Sequence, residues 1–132
     1  MDYFAPQMSA QDLNKISMLG LAHIGDGVYE LLVRSMLCAE GHLAIQDLHR
    51  ETVRFVNATA QARAMEKILP LLTEEENAVY RRGRNAKVHG IPPKSSVAEY
   101  HSATGLEALF GWLYLLGRRE RLSELFTRIV ED

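Results

Sequence analysis

Apolar residues recur along this chain with the period of a helix. Ile16, Leu19, Ile24, Val28, Leu31, Leu32 and Leu37 fit one long amphipathic stretch. It predicts a helix over about residues 17–39, ended by Glu40-Gly41. Before it, Ser9 and Asp12 have the spacing of a capping box and predict a short helix over 10–15. Leu43, Leu48, Val53, Phe55 and Val56 continue the pattern into one helix over about 45–68, stopped by Pro70. Thr73 followed by Glu74, Glu75 and Glu76 reads as a helix start, a cap hydroxyl with acids at the positive end of the dipole. That helix is expected to reach Lys87. Residues 89–96 read as a loop, with Ser95 or Ser96 capping a helix over 97–116 that Gly117 stops. A last helix, 119–130, places Leu122, Leu125, Phe126 and Ile129 on one face. Strand-like alternation is missing throughout. The expectation is an all-α fold of five to seven helices, a single domain over 1–132 with residues 1–8 as a flexible arm.

Two acids interrupt this pattern. Asp26 lies in Leu21-Ala22-His23-Ile24-Gly25-Asp26-Gly27-Val28-Tyr29-Glu30, inside the first long helix. Glu107 is the only acid between Glu99 and Glu120, again in an apolar run. A carboxylate in such a setting is costly unless it is paired or bound to a cation. Two isolated acids on two helices suggest a shared cation site. Few oxygen ligands on rigid helices suit Mg²⁺, which keeps several waters and takes one or two carboxylates plus phosphate oxygens. Such an ion makes water nucleophilic at neutral pH and steadies a leaving oxygen. The competing reading is structural: Asp26 caps a helix break at Gly25, and Glu107 pairs with a core arginine. Gly20, Gly25 and Gly27 each weaken the helix by roughly 1 kcal/mol against Ala. Their presence suggests that a neighbouring helix or a ligand comes close.

Charge narrows the field. The net charge of −2 excludes nucleic-acid binding through bulk charge, so any such binding needs a local patch. One exists: no acid occurs between Glu76 and Glu99, while Arg81, Arg82, Arg84, Lys87 and Lys94 do, with His89. Arg82-Gly83-Arg84-Asn85-Ala86-Lys87 at a helix end could hold phosphates. The bland alternative is that cations favour a helix C-terminus. Cys38, the single cysteine, forms no internal disulfide and is expected to be a small buried hydrophobe in a reducing cytoplasm. The first residues lack a signal-peptide pattern, and no apolar run is long enough to span a bilayer, so a cytoplasmic protein is expected. His42, His49 and His101 show no metal-ligand spacing; His23, three residues before Asp26, could face it. Tyr29, Glu30, Tyr100 and Thr104 flank the two acids at helical spacing and are possible supports of the site.

Five separated motifs then carry a resemblance. Ile24-Gly25-Asp26-Gly27-Val28-Tyr29-Glu30 resembles the signature helix of the ribonuclease III catalytic domain, and Thr104-Gly105-Leu106-Glu107-Ala108-Leu109 its second acidic helix. With Leu48-His49-Arg50, the stretch 55–62 and Arg81-Arg82-Gly83-Arg84-Asn85-Ala86-Lys87, the chain is similar to the Mini-ribonuclease III family over about residues 12–130. That family is the ribonuclease III form without a double-stranded-RNA-binding domain. The resemblance implies a helical homodimer that hydrolyses double-stranded RNA with Mg²⁺, leaving 5′-phosphate and 3′-hydroxyl ends, and that matures the large-subunit (23S) ribosomal RNA precursor. It implies Asp26 and Glu107 as catalytic, metal-binding acids and Arg81, Arg82, Arg84, Asn85 and Lys87 as RNA contacts. Ribonuclease III proper has two further acids, at positions that are here Ala22 and Thr104; Mini-ribonuclease III shares those gaps. His23 and Gly27 replace the family's usual Tyr and Ala. Rival readings are a non-catalytic helical RNA-binding protein, which would not need the two acids, and a helical interaction module, which would not need the basic stretch.

Overall fold

The computed structural model describes residues 1–41, 44–87 and 96–131. Seven α-helices make up this part: α1 (Ala10–Leu13), α2 (Met18–Ala39), α3 (Ile45–Val56), α4 (Ala58–Ile68), α5 (Glu74–Arg84), α6 (Val97–Leu116) and α7 (Arg119–Val130), with a 3₁₀ turn at Leu69–Leu71. No strand occurs among the described residues. The caps are local chemistry. Ser9, Ser17, Thr73 and Ser96 each accept a hydrogen bond from a first-turn backbone N–H, and Thr73–Glu76 and Ser96–Glu99 close full capping boxes. Gly117, at φ 84°, turns the chain out of α6.

Several expectations are corrected. The single helix over 45–68 is two helices, because Asn57 is extended (ψ 157°), ends α3 and accepts the Ala60 N–H at 2.9 Å to start α4. The basic helix ends at Arg84, short of Lys87. Cys38 is exposed, since the buried face of α2 runs through Leu21, Ala22, Gly25, Val28, Tyr29, Val33 and Leu37 and leaves position 38 outside. His42, Leu43, His89, Lys94 and Ser95 lie outside the described residues. The first residues fold back on the bundle: Pro6 is buried, Met8 N donates to Leu115 O at 2.8 Å, and the Tyr114 hydroxyl donates to Tyr3 O.

Helix α6 is the axle. It is apolar almost all round, with Leu106, Ala108, Leu109, Phe110 and Leu113 fully buried, and α2, α4 and α5 pack on it. Two of these contacts are backbone-close. A Cβ on Gly25 would sit 1.6 Å from Glu107 O, and one on Gly111 would sit 2.1 Å from Leu21 O, so α2 crosses α6 at this glycine pair. A Cβ on Gly83 would meet Ala108 Cβ at 2.7 Å, and one on Gly105 the Tyr80 ring at 2.7 Å, so α5 crosses α6 on the other side of Glu107. Both glycine contacts lie within a turn or so of the second acid.

The start of α5 is held to α7 by a buried ion pair. Glu76 is 2% exposed, and Arg121 donates to it through Nη2 (2.8 Å) and Nε (2.9 Å) while also donating to Leu71 O at 2.8 Å. Burial alone would raise the Glu76 pKa; the Arg121 and Thr73 hydrogen bonds and the Arg121 charge outweigh it and hold it below the ordinary value. Arg121→Ala leaves that carboxylate buried without its cation and is expected to cost about 3 kcal/mol, read as a lowered urea midpoint. A midpoint within the error of wild type would show the pair to be inert.

Candidate active site

The α2–α6 crossing brings the two acids together. Asp26 follows Gly25 and Glu107 lends its own carbonyl to the contact, so the two side chains leave the crossing as neighbours. Asp26 is exposed; Glu107 is half-buried. Their carboxyl groups are in hydrogen-bonding contact, and the Glu107 pKa is pushed up to about 9, first by burial, then by the hydrogen bond and the charge of Asp26, with Gln61 pulling weakly downward. Neither structural alternative holds. Helix α2 runs through Gly25 unbroken, and Glu107 interacts with Asp26, Gln61 and Tyr29 and with no arginine among the described residues. The burial cost falls on Glu107, whereas Asp26 reaches solvent.

The flanking residues divide. Tyr29 is in the core, edge-on to Phe110 (5.3 Å) and Phe126 (5.9 Å), and burial followed by the Glu107 charge drives its pKa far up, so it stays protonated. Glu30, one turn after Asp26, pairs with Arg34 at 2.8 Å along α2. Thr104 is buried and its hydroxyl donates back to Tyr100 O at 3.0 Å, while Tyr100 is half-buried with its ring against His101. His23 is exposed one turn before Asp26. Arg81, Arg82, Arg84, Asn85 and Lys87 are all exposed at the end of α5, and no ion pair takes up their charges among the described residues. Arg84 lies over the Tyr80 ring at 5.5 Å, which fixes its stem without neutralising it.

One residue was not anticipated as part of the site. Gln61, on the first turns of α4, is 3% exposed, flanks Glu107, and has a buried Nε2 with no hydrogen-bond partner. The available sign in the sequence was a lone amide among Ala58, Ala60, Ala62 and Ala64.

The arrangement fits a divalent cation. Two carboxylates crowd together, one of them holding a proton it would shed to a cation, and an orphaned buried amide stands beside them. No group of three or more His, Cys, Asp or Glu side chains gathers among the described residues, and a small hard cation such as Mg²⁺ takes one or two carboxylates together with water and phosphate oxygens. The proton on Glu107 also has a consequence for stability. Between about pH 4.5 and about pH 9 the folded chain keeps a proton that the unfolded chain has released. Metal-free stability from this group therefore falls as pH rises through that window. The melting temperature of metal-free protein should decline toward pH 9, and Glu107→Gln should flatten the decline; an equally steep curve in the variant would remove the acid pair as its cause.

An all-helical fold with an acid pair at a glycine crossing and a free basic helix end defines the class. The Ribonuclease III domain family matches residues 19–118. The chain belongs to the Mini-ribonuclease 3 family within it: it is 52% identical to the Mini-ribonuclease 3 of Symbiobacterium thermophilum over 81% of this chain and 82% of the relative. It is 42% identical to that of a Thermoanaerobacter species over 95% and 90%. A crystal structure of a Fusobacterium nucleatum protein superposes with a TM-score of 0.81 at 33% identity, covering 90% of this chain and 95% of that one. The expected activity is thus borne out: the chain is an endoribonuclease for double-stranded RNA. The family generally depends on divalent metal. No described helix is long and apolar enough to cross a membrane.

Proposed function

We propose that this single catalytic domain works in the cytoplasm as a twofold dimer, uses Mg²⁺ held by Asp26 and Glu107, and trims a ribosomal RNA precursor, the 23S precursor in the family's pattern. The observation that carries the site is the contact of Asp26 with Glu107, with the exposed basic end of α5 packed on the same helix through Gly83 against Gly105 and Ala108. When bound, the cation supplies an activated water and charge stabilisation at the scissile phosphate. The chain's own residues do the rest. Asp26 and Glu107 would hold the ion, on helices whose spacing the Gly25–Gly111 contact fixes. Glu107 would hold the ion in its ionised form. Arg81, Arg82, Arg84, Asn85 and Lys87 hold backbone phosphates and so position the duplex without reading its sequence. Tyr100 and Thr104 stiffen the turn of α6 that precedes Glu107, and Tyr29 packs beneath it.

The dimer follows from substrate symmetry. A duplex has two antiparallel strands, and a C₂ pair presents two identical sites in matching opposite orientation. Leu19, exposed, and Ile16 and Gly20, half-buried, offer an apolar start to α2 as part of the interface. Incubation with long duplex RNA in Mg²⁺ and in EDTA, read on a gel, tests the reaction; cleavage that survives EDTA removes the metal role. Arg82→Ala or Arg84→Ala should weaken binding to every duplex about equally and lower the salt slope by roughly one per lost contact. A changed sequence preference with an unchanged slope would count against phosphate holding.

A further inference from the structure

Gln61 is the buried polar side chain at the acid pair for which the chemistry above has no use. Apolar neighbours fill the rest of the same helix face, with Ala64, Met65 and Ile68 buried below it. An amide there leaves a donor unpaired, and a buried donor without a partner asks for an explanation such as an ion or a second state of the site. The backbone holds this residue firmly. Asn57 caps α4 by accepting from Ala60 N at 2.9 Å, and Gln61 N donates to Asn57 O at 3.0 Å. Thr59 Oγ1 donates to Glu99 Oε1 at 3.2 Å, tying the first turn of α4 to that of α6. The position of the amide beside Glu107 is therefore set by two helices pinned to each other.

We propose that Gln61 is a positioning residue of the cation site, whose Nε2–H donates to the Glu107 carboxylate when a divalent cation is bound. The inference rests on Asp26 and Glu107 being the metal-binding acids. An ionised carboxylate accepts through both oxygens, so one can face the ion while the other takes the amide. In the metal-free chain the amide already lies close enough to the Glu107 carboxyl to favour its ionised form, while Nε2 falls short of a full hydrogen bond and Asp26 opposes it. Partners of this kind orient metal ligands, and their loss typically costs about 10–100-fold in metal affinity. Gln61 touches neither phosphate nor nucleophile; it acts through Glu107.

Mn²⁺ binding followed by the electron paramagnetic resonance signal of the free ion, on full-length protein, tests the inference. Gln61→Leu and Gln61→Met keep the bulk and remove the donor. Each should weaken Mn²⁺ binding about 10–100-fold and leave the metal-free melting temperature equal to or above that of wild type, because the orphaned donor is gone. Excess Mg²⁺ should restore cleavage by the folded variants, as a defect in affinity requires. Folded variants that bind Mn²⁺ within a factor of about three of wild type would overturn the proposal, as would variants that both fail to fold, since Gln61 would then be structural. Glu107→Gln separates the two readings. If it loses Mn²⁺ binding while the Gln61 variants do not, only the role of Gln61 falls; if it binds Mn²⁺ as wild type does, the metal site itself is elsewhere.

Discussion

Asp26→Asn and Glu107→Gln should each lower cleavage of duplex RNA by about a thousandfold or more, equivalent to about 4 kcal/mol of barrier, while binding the duplex as wild type does. Each substitution keeps the shape of the side chain and removes a carboxylate that, in the proposed site, would hold the cation. The two should differ in stability. Glu107 is half-buried and keeps its proton at neutral pH, so a neutral amide replaces a neutral acid with little penalty. Asp26 is exposed, and its loss removes a negative neighbour from Glu107. Neither variant should melt much below wild type. Mixed dimers of wild-type and Asp26→Asn subunits should nick one strand of a duplex and leave the other whole. Near wild-type turnover in either variant would falsify the acid pair, and double-strand breaks by isolated mixed dimers in one binding event would remove the one-site-one-strand arrangement.

Much of this molecule is written in its caps and its apolar period. Ser17, Thr73, Ser96 and Gly117 mark element ends that the structure reproduces, because capping is decided within four residues. The break at Asn57 escaped because alanine carries no hydrophobic phase: the run through Ala58, Ala60 and Ala62 extends a helix pattern without showing where its axis turns. Cys38 and Leu31, exposed in an apolar helix, show the same limit, since residue type reports affinity for a core and not the face a residue occupies. Both acids of the site were visible as interruptions, but their burial was not. Asp26 looked costly and reaches solvent, while Glu107 carries the desolvation. Gln61 stayed hidden because its meaning lies in the packing of α4 against α6. Of the three glycines in α2, the sequence could say that something comes close, but only at Gly25 does α6 arrive; Gly27 has nothing within 4 Å.

That contrast gives the second large effect. Gly25→Ala should destabilise the fold by more than about 3 kcal/mol, beyond the usual cost of an overfilled core, because the added methyl meets backbone. Its Cβ would lie 1.6 Å from Glu107 O, 2.5 Å from the carbonyl carbon and 2.9 Å from Gly111 N. A side chain could rotate away from such a contact; a helix backbone can only translate, and α6 is held on its other faces by α4 and α5. Any fraction that folds must hold α2 and α6 further apart, so it should also lose the Asp26–Glu107 contact and bind divalent cations poorly. Gly27→Ala, two residues on, is exposed and meets nothing, so it should gain roughly 0.5–1 kcal/mol from helix propensity alone. Urea unfolding of the two variants beside wild type makes the comparison within one helix. Equal midpoints for Gly25→Ala and wild type would mean that the α2–α6 crossing is looser than the glycine contact requires, and the geometry argued for the acid pair would go with it.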